Sequence, residues 1–371
     1  MTDDTFAFII HPINIKADVA RKYPLLGKIL SERQINFFSQ FFPPVYISEI
    51  TGIVSEDNQR ELTGWFIACP YTPATMLRLP VERVYKKLVA CGEKAAGLGA
   101  KIVGLGAYTS VVGDAGTTIA QRLDTPVTTG DSYTVYIAVE AVLKAAREMD
   151  IPIGTAKAAV VGATGAIGAT CAELLAESVA DLILVGRRAE ALEQVRERCE
   201  GKRAHITTSI TMNDIYTADL ILTVTNATTS IIEPQHIKPG AVICDVARPR
   251  DVSWRLYRER NDVLVIEGGM VEIPGPVDFG FDFGFPPGKA FACMAETMIL
   301  ALEGRYEDYS IGKHIAIEKV REISAMAQRH GFKLSGFRSF EYAVTAEQIA
   351  HVKELAIANQ RVWSPPLAQR P

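Results

Sequence analysis

Cys293 has the sequence context of a reactive thiol. It follows the break Pro286-Pro287-Gly288 and lies in a segment, Lys289 to Leu302, that predicts a helix. A helix N-terminus favours the thiolate form, and the ammonium of Lys289 one turn earlier would add to that effect. Thiolate is the attacking form in acyl transfer. On the residues alone, however, a buried cysteine among apolar side chains is the favoured interpretation. The other five cysteines, which lie in strands or helix bodies, are expected to be structural: Cys69, Cys91, Cys171, Cys199 and Cys244.

A glycine-rich turn is the second chemical feature. The apolar tetrad Ala158–Val161 runs into glycines at every third position, and the alanine-rich run Ala169–Ala176 follows. A strand, a tight turn and a helix start form the order that a dinucleotide phosphate loop requires. The spacing is GxxGxxG rather than GxGxxG, so a glycine-rich turn of some other α/β protein is the alternative. The predicted cofactor contacts are Gly162, Thr164, Gly165, Ala166, Ile167 and Gly168.

The next predicted strand, Asp181–Val185, ends before two arginines. A NAD site expects an acidic residue about twenty positions beyond the loop, where it holds the ribose 2′-hydroxyl. Arg187 and Arg188 occupy that place, and no carboxylate follows until Glu190. Guanidinium groups match a 2′-phosphate, which a carboxylate would repel. The two arginines therefore predict NADP(H) rather than NAD(H).

Apolar strands separated by helices continue after the arginines and predict a parallel sheet covered on both faces. Leu220–Asn226 reads as a buried strand, so Thr225 and Asn226 should face the cofactor cleft at its end. Further strands are predicted at Val242–Val246 and Val263–Gly269.

The segment Thr128–Tyr136 is dense in hydroxyl groups and precedes a helix predicted at Ile137–Glu148. Thr129, Ser132 and Tyr133 are candidates for contacts to a substrate. The alternative is a helix N-cap, in which a side-chain oxygen satisfies free backbone N–H groups.

Two segments are rich in phenylalanine. Phe37, Phe38, Phe41 and Phe42 predict a large apolar surface, and packing on the core is the favoured interpretation. A wall for a lipid chain or a peripheral contact with a membrane surface is the alternative. Residues 274–288 are rich in glycine, proline and phenylalanine, which excludes a regular helix and predicts a loop with an apolar face.

The composition argues against a nucleic-acid-binding, membrane-spanning, secreted or metal-binding protein. The chain has 371 residues, 48% of them hydrophobic and 22% charged, with a net charge of −4. Nothing in that balance favours a nucleic-acid surface. No apolar run reaches the ~18–20 residues of a membrane span, and the N-terminus lacks a signal-peptide pattern. No cysteine and histidine spacing predicts a metal site. A cytoplasmic protein without a metal is therefore expected.

Several motifs taken in order resemble one family, the aldehyde-forming long-chain fatty acyl-[acyl-carrier-protein] reductases. The resemblance covers most of the chain. Three features depart from it: Asp131, where the family turn usually has asparagine, the Phe-Gly repeats of residues 274–288, and a tail after Phe332 that is longer than the resemblance leads us to expect. The resemblance rests on these stretches: Gly104–Ser110, Thr128–Tyr136, Gly162–Gly168, Phe291–Glu296 and Ile317–Lys319.

The resemblance implies NADPH-dependent reduction of a fatty acyl thioester to a fatty aldehyde. It implies a cysteine nucleophile that maps onto Cys293 and forms a thioester intermediate. An acyl carrier protein or CoA thioester would be the donor, and an aldehyde-consuming enzyme would act downstream. Alternatives from other classes are a shikimate- or quinate-type NADP dehydrogenase, a glutamyl-tRNA reductase and a non-catalytic NADP-binding regulator.

The predicted fold class is α/β, with a Rossmann-type doubly wound parallel sheet preceded by an α/β substrate domain. C-terminal helices are expected to pack back on it. The expected parts are residues 1–136 as the substrate domain, 137–154 as a connecting helix, 155–275 as the NADP-binding domain, and 276–371 as a loop and helices that carry Cys293.

Overall fold

The computed structural model describes residues 4–227, 229–361 and 363. The chain divides into two compact units, each built from two segments. The first unit comprises Met1–Tyr133 and Val271–Lys333, and the second comprises Thr134–Met270 and Leu334–Pro371. The segment 276–371, expected as one part, is therefore shared between the two units.

The N-terminal part of the first unit is an α/β layer around a five-stranded sheet. The helix Val81–Gly97, α5, illustrates why helices cover the sheet: Val84, Leu88 and Cys91 lie on one face and are buried, whereas its lysines face solvent. The elements of this part are β1 Thr5–Ile10, α1 Ile15–Lys22, α2 Pro24–Ile29, α3 Glu32–Ser39, β2 Val45–Val54, β3 Glu61–Ala68, α4 Pro73–Arg78, α5 Val81–Gly97, β4 Val103–Leu105, α6 Tyr108–Val111, α7 Thr117–Arg122 and β5 Val127–Thr128. The strand order is β2-β3-β1-β4-β5, with β2 antiparallel to β3 and the other pairs parallel.

A six-stranded parallel sheet forms the centre of the second unit. Its elements follow α8 Asp131–Glu148 and are β6 Lys157–Val161, α9 Ala166–Leu175, β7 Asp181–Val185, α10 Ala189–Arg198, β8 His205–Ser209, β9 Leu220–Thr223, β10 Val242–Asp245, α11 Trp254–Glu259 and β11 Leu264–Glu267. Short 3-10 helices occupy Ile153–Thr155, Met212–Thr217 and Pro234–His236. The strand order β8-β7-β6-β9-β10-β11 is that of a Rossmann fold, and the order reverses between β6 and β9. The predicted fold class is therefore confirmed.

The C-terminal third contains β12 Met270–Glu272, β13 Lys289–Phe291, α12 Ala292–Leu302, α13 Ile317–His330, β14 Lys333–Leu334, β15 Arg338–Ser339, β16 Tyr342–Ala343 and α14 Ala346–Gln360. Helix α12 is almost wholly buried and packs against β1 and β4 of the first unit. Helix α14 packs within the second unit, where the amide of Asn359 bonds to Asp262.

Several predicted elements have the expected bounds, and others begin elsewhere. The strand predicted at Asp181–Val185 is confirmed, and the strand predicted at Val242–Val246 is observed at Val242–Asp245. The predicted start of a helix at Ile137 is wrong, because α8 begins at Asp131. The predicted start of a helix at Lys289 is also wrong, since Lys289–Phe291 forms β13 and the helix begins at Ala292.

The two phenylalanine-rich segments have different outcomes. The predicted packing of Phe37, Phe38, Phe41 and Phe42 on the core is wrong, because all four side chains are exposed. Their spacing indicates one face of a helix but does not distinguish a buried face from an exposed one. The prediction of an irregular segment at residues 274–288 is confirmed, and its phenylalanines are half-buried.

Candidate active site

The glycine turn after β6 lies at the point where the order of the second unit's sheet reverses. Gly162 has a φ of +86°, and a Cβ there would lie 2.6 Å from the carbonyl oxygen of Val224, which follows β9. A Cβ on Gly168 would lie 2.3 Å from the carbonyl oxygen of Gly162. Both positions therefore require glycine, and the turn is as tight as a dinucleotide loop needs.

The turn delivers the chain into α9 with an open N-terminus. Gly165 is the N-cap and supplies no side-chain hydrogen bond. The N–H groups of Ala166, Ile167 and Gly168 are therefore the uncapped donors of a helix start. These N–H groups, together with the helix dipole, form a cradle that fits a pyrophosphate. The Thr164 side chain lies beside the turn, since a Cβ on Gly186 would be 3.2 Å from its methyl group.

Four further predicted contacts lie beyond the ends of β7 and β9, the two strands that flank β6. Arg187 and Arg188 directly follow β7, are exposed, and have no ion-pair partner within the described part of the chain. The Thr225 hydroxyl donates to the buried carboxylate of Asp251 at 2.5 Å, so Asp251 fixes the end of β9. Asn226 is exposed.

Cys293 occupies the first turn of α12 in the first unit and is half-buried. The backbone of the 128–133 turn lies directly against it. Gly130 has a φ of +77°, and a Cβ there would lie 2.3 Å from the Cα of Cys293 and 2.4 Å from its Cβ. The backbone N–H of Met294 favours the ionised form of the sulfur.

Two buried carboxyl groups face this thiol. Glu296, one turn further along α12, accepts hydrogen bonds from the Thr128 hydroxyl at 2.5 Å and from the Tyr133 N–H at 2.7 Å. Asp131, at the start of α8, is also buried and carries a charge close enough to act on the sulfur. Sequence reasoning missed both groups, although Asp131 already stood out as the departure from the family turn.

Burial and mutual repulsion set the protonation of the three groups. Burial, and then the charge of Asp131, raise the pKa of the Cys293 thiol to about 12, against the opposing effect of the Met294 N–H. Burial, and then the charge of Glu296, raise the pKa of Asp131 to about 8. Burial also raises the pKa of Glu296. The expected lowering of the thiol pKa is therefore wrong, and Cys293 is a neutral thiol near pH 7.

Lys289 does not act as expected on this thiol. It lies on β13 rather than in the helix, and its ammonium is 3.6 Å from the carboxylate of Glu272. The charges that act on Cys293 are those of Asp131 and Glu296.

The hydroxyl groups of the 128–133 turn hold the turn in place. Thr129 donates to the carbonyl of Ser310, and the Ser132 hydroxyl bonds to the Ser310 hydroxyl at 2.6 Å. Thr129, Ser132 and Tyr133 are all buried. Their predicted contact with a substrate stays a prediction.

Within the described ranges, no group of three His, Cys, Asp or Glu side chains is arranged to hold a metal ion. No helix among the described residues is long and apolar enough to span a bilayer.

Comparison with known proteins gives a family-model match to one part of the chain and a relative that matches most of it. A family model described as shikimate / quinate 5-dehydrogenase matches residues 144–267, which hold the glycine turn and most of the six-stranded sheet. The long-chain acyl-[acyl-carrier-protein] reductase of Synechococcus elongatus is 30% identical over 319 residues, which are 82% of this chain and 91% of that protein. This chain belongs to the long-chain acyl-[acyl-carrier-protein] reductase family.

A second relative of this chain is named as an aminotransferase. The aminotransferase PigE of a Serratia species is 31% identical over 359 residues, which are 94% of this chain and 42% of that protein. The chain thus spans less than half the length of PigE. The nucleotide-binding domain of glutamyl-tRNA reductase from Thermoplasma volcanium is 19% identical over 36% of this chain and 84% of that domain, with a TM-score of 0.25, a likeness too low to argue from.

Family membership and the Rossmann sheet make this chain an oxidoreductase that uses a nicotinamide cofactor. The match to the dehydrogenase model is confined to residues 144–267, so it bears on the cofactor and not on the substrate.

Proposed function

We propose that this family member reduces a long-chain fatty acyl thioester to a fatty aldehyde with NADPH, through an acyl-enzyme on Cys293. The observation that carries the proposal is the thiol itself. Cys293 lies in the first turn of α12, against the backbone of Gly130, and the charges of two buried carboxyl groups, Asp131 and Glu296, act on it. A structural cysteine would have no need of two titratable neighbours, whereas a nucleophile needs a group that takes its proton.

Asp131 is the base in this proposal. Burial, and then the charge of Glu296, raise its pKa to about 8, so the carboxyl is mostly protonated at pH 7; its ionised fraction, which grows as the pH rises toward 8, takes the thiol proton while sulfur attacks the carbonyl. The new C–S bond forms as the proton moves to Asp131, and the carrier thiolate then leaves and recovers that proton. Glu296, held by Thr128 and Tyr133, keeps the pKa of Asp131 raised.

Backbone N–H groups of α12 stabilise the charge that develops. The backbone N–H of Met294 favours the thiolate, and the first turn of the helix offers positive potential to a thiolate and to an adjacent oxyanion. NADPH, when bound, would supply the hydride for reduction of the acyl thioester. Cys293 leaves as thiolate when the aldehyde forms and is then reprotonated.

Arg187 and Arg188 support NADPH as the cofactor. Both guanidinium groups are exposed at the end of β7 and lack an ion-pair partner among the described residues, which leaves them available to a 2′-phosphate. Gly162, Gly165 and Gly168 would hold the pyrophosphate.

A row of phenylalanine rings supports a long acyl chain as the substrate. Residues 279–285 alternate phenylalanine with glycine or aspartate, and the rings contact one another. Phe283 lies 4.5 Å from Phe66 and 6.0 Å from Phe285, between ring centroids. Phe285 contacts Phe291, two residues before Cys293. Half-buried rings in such a row provide apolar area for a hydrocarbon chain.

The test is a trapping experiment without NADPH. The full chain is mixed with palmitoyl-CoA or palmitoyl-[acyl-carrier-protein], and the acylated peptide is mapped by mass spectrometry. We expect the acyl mass on Cys293 alone, with the five buried cysteines as internal controls, and aldehyde after NADPH is added. Acylation elsewhere, or a Cys293→Ser variant that retains wild-type turnover, would overturn the proposal.

A further inference from the structure

The helices α1–α3 of the first unit carry a concentrated apolar surface. Phe37, Phe38, Phe41 and Phe42 are between 45% and 66% exposed, and Leu25 and Ile29 on α2 are 72% and 75% exposed. Nine of the large apolar side chains that are exposed in the described chain fall within residues 13–42. We call the surface formed by Phe37, Phe38, Phe41 and Phe42, on α3 and the turn that follows it, the phenylalanine patch.

The patch is built on ordered helices. Ser31 and Gln34 form a capping box at the start of α3, with the Ser31 N–H donating to the Gln34 side chain at 2.9 Å. Helices α1 and α2 pack so closely that a Cβ on Gly27 would lie 2.4 Å from the Cβ of Ala20. The rings also support one another, since Phe37 contacts Phe38 and Phe41 edge to face at 5.4 and 5.6 Å. The apolar residues are therefore presented outward by a fixed scaffold.

The segment that carries the patch is basic. Residues 15–42 contain five basic side chains, Lys16, Arg21, Lys22, Lys28 and Arg33, and two acidic ones, Asp18 and Glu32. The segment therefore carries a charge of +3 in a chain whose net charge is −4.

A groove of about 550 Å³ adjoins the patch between α3 and α4. Its walls include Phe37, the guanidinium groups of Arg33 and Arg78, and the amide of Asn36, and no acidic residue lines it. Neither arginine has a hydrogen-bond or ion-pair partner in the part of the chain that the structure describes. The groove therefore combines two unpaired arginines, which suit a phosphate group, with the exposed ring of Phe37.

We infer that the phenylalanine patch and its arginine groove bind the surface of an anionic lipid bilayer. The rings would enter the boundary between headgroups and acyl chains, and Arg33 and Arg78 would receive a lipid phosphate in the groove. A second copy of this chain fits less well, because a symmetric contact would place +3 against +3. This inference does not rest on the proposed reaction.

The test is cosedimentation of the full chain with vesicles. Vesicles of phosphatidylcholine containing phosphatidylglycerol are compared with vesicles of phosphatidylcholine alone, over a range of NaCl concentrations. We expect binding to the anionic vesicles that weakens with salt. The double substitution Phe37→Ser with Phe41→Ser should lower the partition coefficient on the order of thirtyfold. The double substitution Arg33→Gln with Arg78→Gln should lower it by about the same factor at low salt.

Matched controls come from the second unit. Ile210 is 69% exposed and Arg258 is exposed without an ion-pair partner among the described residues, so Ile210→Ser and Arg258→Gln should leave binding unchanged. Circular dichroism of each variant checks that it folds. Equal binding by the phenylalanine variant and the wild type would refute the inference. So would a patch that binds acyl carrier protein, or a second copy of the chain, while vesicles are ignored.

Discussion

The contact between Gly130 and Cys293 gives a sharp prediction for the substitution Gly130→Ala. The added Cβ would lie 2.3 Å from the Cα of Cys293, whereas ordinary contacts begin at 3.4 Å, so one of the two backbones must move by about 1 Å. The alanine would also hold a φ of +77°, which costs roughly 1–2 kcal/mol of folding free energy. Misplacement of a nucleophile by about 1 Å costs on the order of a hundredfold in rate.

The substitution Gly201→Ala separates the two effects. Gly201 has a φ of +74° and open space around its Cβ position, so alanine there carries the same backbone cost without displacing a neighbour. Urea denaturation should show a loss of stability in both variants, larger for Gly130→Ala. The rate of Cys293 acylation, followed by quenched mass spectrometry, should fall about a hundredfold for Gly130→Ala only. An acylation rate within threefold of wild type in Gly130→Ala would refute the geometry described for the thiol.

Three further predictions concern charge and chain length. The substitution Asp131→Asn removes a charge that raises the pKa of the Cys293 thiol, so alkylation by iodoacetamide should reach its half-maximal rate at a lower pH, while acylation slows for lack of a base; an unchanged alkylation profile would contradict this. Replacing both Arg187 and Arg188 by alanine should raise the KM for NADPH at least tenfold with little change for NADH, and equal changes for the two cofactors would remove the argument for a 2′-phosphate. The substitution Phe283→Ser should lower kcat/KM for palmitoyl donors several-fold more than for octanoyl donors, as measured by NADPH oxidation. Equal losses for the two donors would contradict this prediction.

Local patterns were enough to predict the centre of the second unit's sheet. The apolar tetrad before Gly162 and the alanine-rich run after Gly168 predict β6, the turn and α9, because strand, turn and helix signals there all agree. The bounds of β7 followed for the same reason.

The surroundings of the thiol could not be predicted from local patterns. Asp131 and Glu296 are 165 positions apart, and only the packing of α12 against the 128–133 turn brings them together. A helix start after a proline-rich break suggested a low thiol pKa, but burial and these two carboxyl groups outweigh the helix dipole. Likewise, the spacing of Phe37 and Phe41 predicts a helical face without indicating whether a neighbour covers it.

The neutral state of the Cys293 thiol also protects the residue from peroxide. Hydrogen peroxide oxidises thiolates to sulfenic acid far faster than it oxidises thiols, and a thiol with a pKa of about 12 is almost never ionised at neutral pH. The nucleophile would therefore survive oxidative conditions that inactivate enzymes with a preformed thiolate, and it would become reactive only when an acyl donor is bound and the proton can leave.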